Sequence, residues 1–177
     1  MAGKPRVYRA RAGEVLAGRM RSPPVITAAL VRAEGRRVLV KQMELVRQRI
    51  LSADGVPGVL SAGWETFELV MAVTAVSADR SADMYPAFTF ARGSAVSGRN
   101  AIAFAPSMPA SYAPSGTAEP VTGDAYQVAD AVAALASALS ARLRDAAGRA
   151  ADADDRAACQ NAAGHADQIS KLLAQRG

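Results

Sequence analysis

The sequence predicts an α+β fold: an N-terminal basic arm and helix, a three-stranded antiparallel meander, and a C-terminal Ala-rich helical hairpin. Apolar residues recur at intervals of three and four over residues 25–51 and again after residue 124, which is the spacing of one helix face. Over residues 64–76, 85–91 and 101–105 they alternate instead, which is typical of strands. A chain of 177 residues, half of them hydrophobic, is the size of one domain.

Residues 1–22 are predicted to form a basic arm. They contain six Lys/Arg and one acid, and too few apolar side chains to fold alone. The remainder, residues 23–177, is predicted to be a single α+β domain.

The first helix is predicted over residues 25–51. Ser22 is a suitable cap, and Pro23 and Pro24 suit the first turn. One face of this helix is apolar, and it carries Leu39, Met43, Val46 and Ile50. The opposite face is basic, and it carries Arg36, Arg37, Lys41, Arg47 and Arg49.

A second interpretation turns residues 28–41 into a β-hairpin around residues 33–36. The stretch AALVRAEGRRVLVKQ resembles the first hairpin of the Nudix hydrolases. That resemblance implies a Glu-rich metal box with an Arg-Glu pair further along the chain. Because no such box follows, Nudix activity is rejected.

The middle of the chain is predicted to be the meander. The first strand, within residues 64–76, would present Phe67, Leu69 and Met71 on one face. Pro86 restricts the second strand, residues 85–91, to a sheet edge or a strand start. A loop over residues 93–100, tightest at 97–100, would lead to the third strand at residues 101–105.

A Pro/Ser/Gly-rich strap at residues 106–123 is predicted to precede the helical hairpin. Asp124 would cap the first helix and Gly148 would end it. The acids at the start of the second helix, Asp152, Asp154 and Asp155, suit capping and the helix dipole better than a metal site. Its core stripe would include Ala158, Ala162, Ile169 and Leu173.

No catalytic, metal or cofactor site is predicted. Cys159 and His165 lie six residues apart on a predicted helix and so point in different directions, which does not suit a nucleophile and its base. Glu65 and Glu68 have no identifiable partner and are interpreted as solvated carboxylates. The glycines form no phosphate-binding loop.

Charge is distributed unevenly along the chain. Residues 1–51 carry twelve Lys/Arg and three acids, a net charge of +9, whereas residues 52–177 carry nine Lys/Arg and thirteen acids, a net charge of −4. We therefore expect the basic part to meet an acidic partner. The residues expected to bind it are Lys4, Arg6, Arg9, Arg11, Arg36, Arg37 and Lys41.

The function predicted from these patterns is that of a non-enzymatic assembly protein, a homo-oligomer joined through the basic arm and the Ala-rich hairpin. The order of elements is broadly similar to that of ring-forming connector and tail-terminator proteins of tailed phages, which would make it a virion- or ring-type component. The alternatives are a sequence-nonspecific nucleic-acid-binding protein and a small enzyme. No membrane partner is expected, and the location is expected to be the cytoplasm or an assembled particle.

Overall fold

The computed structural model describes residues 42–109 and 124–175, and over these residues the protein is all-helical. Five helical segments and no strand occur there. The prediction of an α+β fold with a three-stranded meander is therefore wrong.

The helical segments are as follows. Residues 42–52 are helical and are called α1. The others are α2 at Gly55–Ala78, α3 at Tyr85–Ala103, α4 at Ala125–Arg149 and α5 at Ala153–Ala174.

Helices α2 to α5 form a four-helix bundle in the cyclic order α2, α3, α5, α4, since each packs against its two neighbours in that order. Gly63 in the first half of α2 lies next to Ile102 near the end of α3, and next to Leu143 in the second half of α4. Helices α3 and α4 therefore both run antiparallel to α2 and occupy opposite corners of the bundle. Helix α3 therefore ends, and α4 begins, at opposite ends of the bundle.

Helix α2 replaces the predicted first strand. Phe67, Val70 and Val73 are buried at spacings of three, as one helix face requires. The two buried threonines, Thr66 and Thr74, fit a helix because each hydroxyl donates to the carbonyl four residues earlier, at 2.7 and 2.6 Å. From Leu69 to Val76 every residue except Thr74 is apolar, so an alternating pattern could be found there without being structural.

Helix α3 replaces the other two predicted strands and the loop between them. Phe88, Ala91, Ala95 and Ile102 are buried on one face. Pro86 lies in the first turn, where its missing N–H removes no helical hydrogen bond. Gly98, interpreted as part of a tight turn, lies inside the helix against the ring of Phe67.

Of the predicted first helix, residues 42–51 are described and are helical, whereas residues 25–41, which include the alternative hairpin at 28–41, lie outside the described residues. The predicted helical hairpin is present as α4 and α5. Met43 and Ile50 of α1 are buried, whereas Leu39 lies outside the described residues. Asp124 and Asp152 cap α4 and α5 as predicted, and α4 ends at Arg149, one residue after Gly148. The buried stripes of this helical hairpin match the predicted ones, and their residues include Val128, Val132, Leu135, Leu139, Leu143, Ala158, Ala162, Ile169 and Leu173.

Helix α2 is the one helix within the described ranges that is long and apolar enough to cross a membrane. Its most apolar window is 56% buried inside the bundle. Many of its apolar side chains are in the core, with Phe67 and Val73 fully buried. A central core helix of a bundle has the same composition, so the apolar length has an explanation within this fold.

Candidate interaction surfaces

All seven residues predicted to bind a partner lie outside the described residues. Lys4, Arg6, Arg9 and Arg11 belong to the predicted arm, and Arg36, Arg37 and Lys41 to the helix that was predicted to follow it. The structure therefore leaves their role as a prediction. The surfaces described below belong to the helical body.

The described body is acidic overall. Residues 42–109 and 124–175 contain ten Lys/Arg and thirteen Asp/Glu, a net charge of −3. Residues 1–41 contain ten Lys/Arg and two Glu, a net charge of +8. The charge asymmetry thus separates the helical body from the chain that precedes it.

Helix α1 is held on α4 by Arg142. The Arg142 guanidinium donates from Nη2 to the Ala53 carbonyl oxygen at 2.6 Å, and from Nε to the Ile50 carbonyl oxygen at 3.3 Å. These carbonyls lie at and just after the end of α1, where helical partners are missing and a cation is favourable. Arg142 also pairs with Asp145 at 3.1 Å. Ile50 of α1 is 1% exposed and belongs to the hydrophobic core.

A groove of about 600 Å³ runs between α1 and α4. Most of its lining comes from small side chains on the outward face of α4: Ala131, Ala134, Ser137, Ala138 and Ala141. Met43, Glu44 and Arg47 of α1 form the other wall. Ala134, Ser137 and Ala141 are exposed, so the groove is an open apolar surface on the Ala-rich hairpin.

A second groove, of about 390 Å³, lies between α3 and α5. Phe90, Gly93 and Ser97 line it from α3, and His165 and Leu172 from α5. Phe90 is 64% exposed, and a side-chain carbon added at Gly93 would meet no atom within 4 Å. The groove therefore has an aromatic side chain beside open space.

Cys159 and His165 do not form a catalytic pair. The Cys159 thiol is fully buried, and burial together with the nearby charge of Asp155 raises its pKa to about 11. A thiol with that pKa is almost entirely protonated at neutral pH and is a poor nucleophile. His165 instead lies at the α3/α5 groove. Within the described ranges, no three His, Cys, Asp or Glu side chains are grouped as a metal site.

The two glutamates interpreted as solvated carboxylates are each paired with an arginine. Glu65 accepts from Arg49 at 2.9 Å, and Glu68 accepts from Arg99 at 2.7 Å. Arg99 also lies over the Trp64 ring, 5.4 Å from its centroid. Since the arginines belong to α1 and α3, these contacts connect α2 to its neighbours and were not visible from local sequence.

The aspartates at the start of α5 have structural uses. Asp152 accepts hydrogen bonds from the backbone N–H groups of Asp154 and Asp155 at 2.8 and 3.1 Å, as an N-cap does. Asp155 is buried and accepts from both the N–H and the hydroxyl of Ser107. This pair attaches the chain that follows α3 to the start of α5.

An ion pair joins the two helices of the hairpin: Arg144 of α4 contacts Asp167 of α5. The Ser140 hydroxyl and the Arg144 guanidinium favour the charged carboxylate and so lower the pKa of Asp167 below its ordinary value of 3.8. Asp167 is therefore ionised throughout the neutral range.

Asp167→Asn should lower the stability of the bundle in a pH-dependent manner. Because the pKa of Asp167 is lowered by folding, its contribution is fully present above pH 3.8 and is lost as the pH falls through the lowered pKa. The partly exposed pair should contribute about 0.5–1 kcal/mol at neutral pH. Urea unfolding of both proteins from neutral to acidic pH should give curves that converge in acid. Asp79→Asn, at the exposed C-cap of α2, should cause no such loss. A difference that persisted unchanged in acid would contradict this account.

Comparison of the chain with protein families, with curated proteins and with solved structures finds no match.

Proposed function

We propose that this chain is a non-enzymatic assembly protein whose copies associate through the groove between α1 and α4. In this proposal the basic chain before residue 42 adds electrostatic attraction to the acidic body of a neighbouring copy. The observation that carries the proposal is the open, Ala-lined groove on the outward side of the helical hairpin.

The groove suits a helix from another copy. Alanine side chains allow helix axes to approach closely, at the lower end of the usual 8–10 Å. The wall supplied by α1 adds Met43, and the rim adds Glu44 and Arg47, which carry opposite charges 3.7 Å apart. An apolar centre with charged groups at its rim is the arrangement of many protein interfaces.

The separated charges support association between like chains. A segment of net charge +8 and a body of net charge −3 occur in every copy, so each copy offers both an attracting and an attracted surface. Such attraction accelerates association and weakens as salt is added. The apolar groove contact should be much less sensitive to salt.

The proposal is tested by the mass of the protein in solution. Sedimentation equilibrium from about 10 μM to about 1 mM, at low and high salt, should show oligomers that persist in part at high salt. Ala134→Glu places a charge in the groove at an exposed position and should reduce association. Gln160→Glu places the same charge at an exposed position on α5 and is the matched control. A wild-type protein that is monomeric under all these conditions would refute the proposal.

Nucleic-acid binding is the other outcome that the basic segment allows. It predicts steeply salt-dependent binding to duplex and single-stranded oligonucleotides. That binding should be lost when Lys4, Arg6, Arg9 and Arg11 are replaced together by Gln. Unchanged affinity in this variant would exclude a nucleic-acid role for the arm.

A further inference from the structure

The outward side of α3 and its C-cap residue carry the two most exposed aromatic side chains among the described residues. Phe90 is 64% exposed and Phe104 is 89% exposed. Phe90, Gly93, Ser97 and Ala101 lie on one stripe of the helix, and Phe104, the C-cap residue that follows α3, comes three residues after Ala101. The stripe therefore has a large side chain at each end and small side chains between them.

This order of residues is symmetric about Ser97. Phe90 lies seven residues before it, about 10.5 Å along the helix, and Phe104 lies seven residues after it, at the C-cap. Gly93 and Ala101 each lie four residues from it. If a second α3 packs antiparallel across Ser97, Phe90 of each copy lies opposite Phe104 of the other. Gly93 of each copy then lies opposite Ala101 of the other. One surface can thus complement itself, as a two-fold interface requires.

Charge and space favour the same partner. The stripe contains no charged residue, and Arg99, on the other side of α3, is paired with Glu68 of α2. Two identical faces can therefore meet without repulsion between like charges. The open space at Gly93 continues into the α3/α5 groove, which gives an aromatic ring from a second copy room to pack.

We propose that α3 forms a two-fold interface with α3 of a second copy, with the axis passing next to Ser97. The two phenylalanines expose about 300 Å² per copy, against the roughly 800 Å² that each partner buries in an interface of standard size. The contact is therefore expected to be weak, with a dissociation constant in the micromolar range or above. Together with the groove between α1 and α4, the α3 contact would give each copy two distinct interfaces, as extended assemblies require. Only this consequence rests on the proposed function.

The test uses charges placed at the two-fold axis of the full-length chain. Ser97 is exposed, so Ser97→Glu and Ser97→Arg should both fold, which thermal unfolding by circular dichroism can verify. In either variant alone, two like charges meet at the axis, and dimerisation should weaken by about tenfold or more. Mixing the two variants in equal amounts brings opposite charges together and should restore a heterodimer. Dimerisation of the single variants and of their mixture is measured by sedimentation equilibrium in an Ala134→Glu background. That substitution suppresses association through the groove between α1 and α4.

Gln160→Glu in the same background adds an identical charge on the side of α5 away from the α3/α5 groove, and should leave dimerisation unchanged. Two results would overturn the α3 interface: Ser97→Glu dimerising as well as Gln160→Glu, or a Glu/Arg mixture no more associated than its components. Neither result bears on the groove between α1 and α4. Conversely, an Ala134→Glu protein that still dimerises and responds to Ser97→Glu supports the α3 interface even if the groove proposal fails.

Discussion

Gly98→Ala should destabilise the bundle, although alanine is the better helix former. A Cβ atom at position 98 would lie 2.4, 2.6 and 2.9 Å from three carbons at the far end of the Phe67 ring. Phe67 is fully buried in α2, so the ring can move only by displacing other core side chains. Overpacking of this kind costs about 1–3 kcal/mol, and the helix propensity of alanine returns about 1 kcal/mol. We expect a net loss of up to about 2 kcal/mol, measured by urea unfolding.

Gly148→Ala is the matched control. Gly148 lies in the last turn of α4, and a Cβ atom there would meet no atom within 4 Å. Without a clash, the same substitution should stabilise the protein by about 0.5–1 kcal/mol. The opposite signs of the two effects separate packing at Gly98 from helix propensity.

A double-mutant cycle identifies the contact responsible. Phe67→Leu shortens the side chain that occupies the space next to Gly98. In that background Gly98→Ala should cost much less than in the wild type, or should stabilise the protein. If Gly98→Ala lowered the stability equally in both backgrounds, the loss would not arise from the contact between position 98 and Phe67.

The helices that were predicted correctly are those with polar residues on one face. In α4 and α5, charged side chains such as Asp145 and Arg156 occupy the exposed positions between the buried apolar ones, so the helical period of the pattern is unambiguous. Aspartates at both N-termini mark the first turn, and Asp124 and Asp152 are the observed caps. Local sequence therefore determines this part of the fold.

The central helices were mistaken for strands because their sequences lack that contrast. Helix α2 packs on both α3 and α4, so it is apolar on most sides, and its sequence does not distinguish period two from period 3.6. In α3, Gly93 and Gly98 were interpreted as loop residues. Gly98 instead provides space for a ring that belongs to another helix. Position 98 must be glycine because of Phe67, which lies 31 positions earlier, so the local pattern does not reveal this requirement.

The candidate surfaces were only partly predictable for a similar reason. The Ala-rich hairpin was identified as an association element from composition, but the groove also needs α1, which Arg142 holds from 89 and 92 residues away. Phe104, which falls in the predicted third strand, is 89% exposed. Ile102, inside α3, is fully buried, whereas Phe104 is the C-cap residue that follows the helix and points outward.

Asp155→Ala should destabilise the protein through the chain segment that follows α3. Asp155 is 4% exposed, and its carboxylate accepts from the Ser107 N–H at 3.0 Å and from the Ser107 hydroxyl at 2.6 Å. Hydrogen bonds to a charged group are worth about 1.5–3 kcal/mol, and truncation would also leave both Ser107 donors without this partner. We expect a loss of about 2–3 kcal/mol, which corresponds to a decrease in melting temperature of roughly 4–12 °C for a chain of this length.

Two variants separate this contact from general effects of charge at the start of α5. Asp154→Ala removes an exposed carboxylate from the same helical turn and should lose only the favourable interaction with the helix dipole, about 0.3–1 kcal/mol. Ser107→Ala removes the hydroxyl but keeps the backbone N–H, so its effect should lie between those of Asp154→Ala and Asp155→Ala. Hydrogen exchange should then locate the loss: in Asp155→Ala, amides at residues 105–108 and in the first turn of α5 should lose protection. Equal destabilisation by Asp154→Ala and Asp155→Ala would show that both aspartates stabilise the protein through the helix dipole rather than through the contact with Ser107.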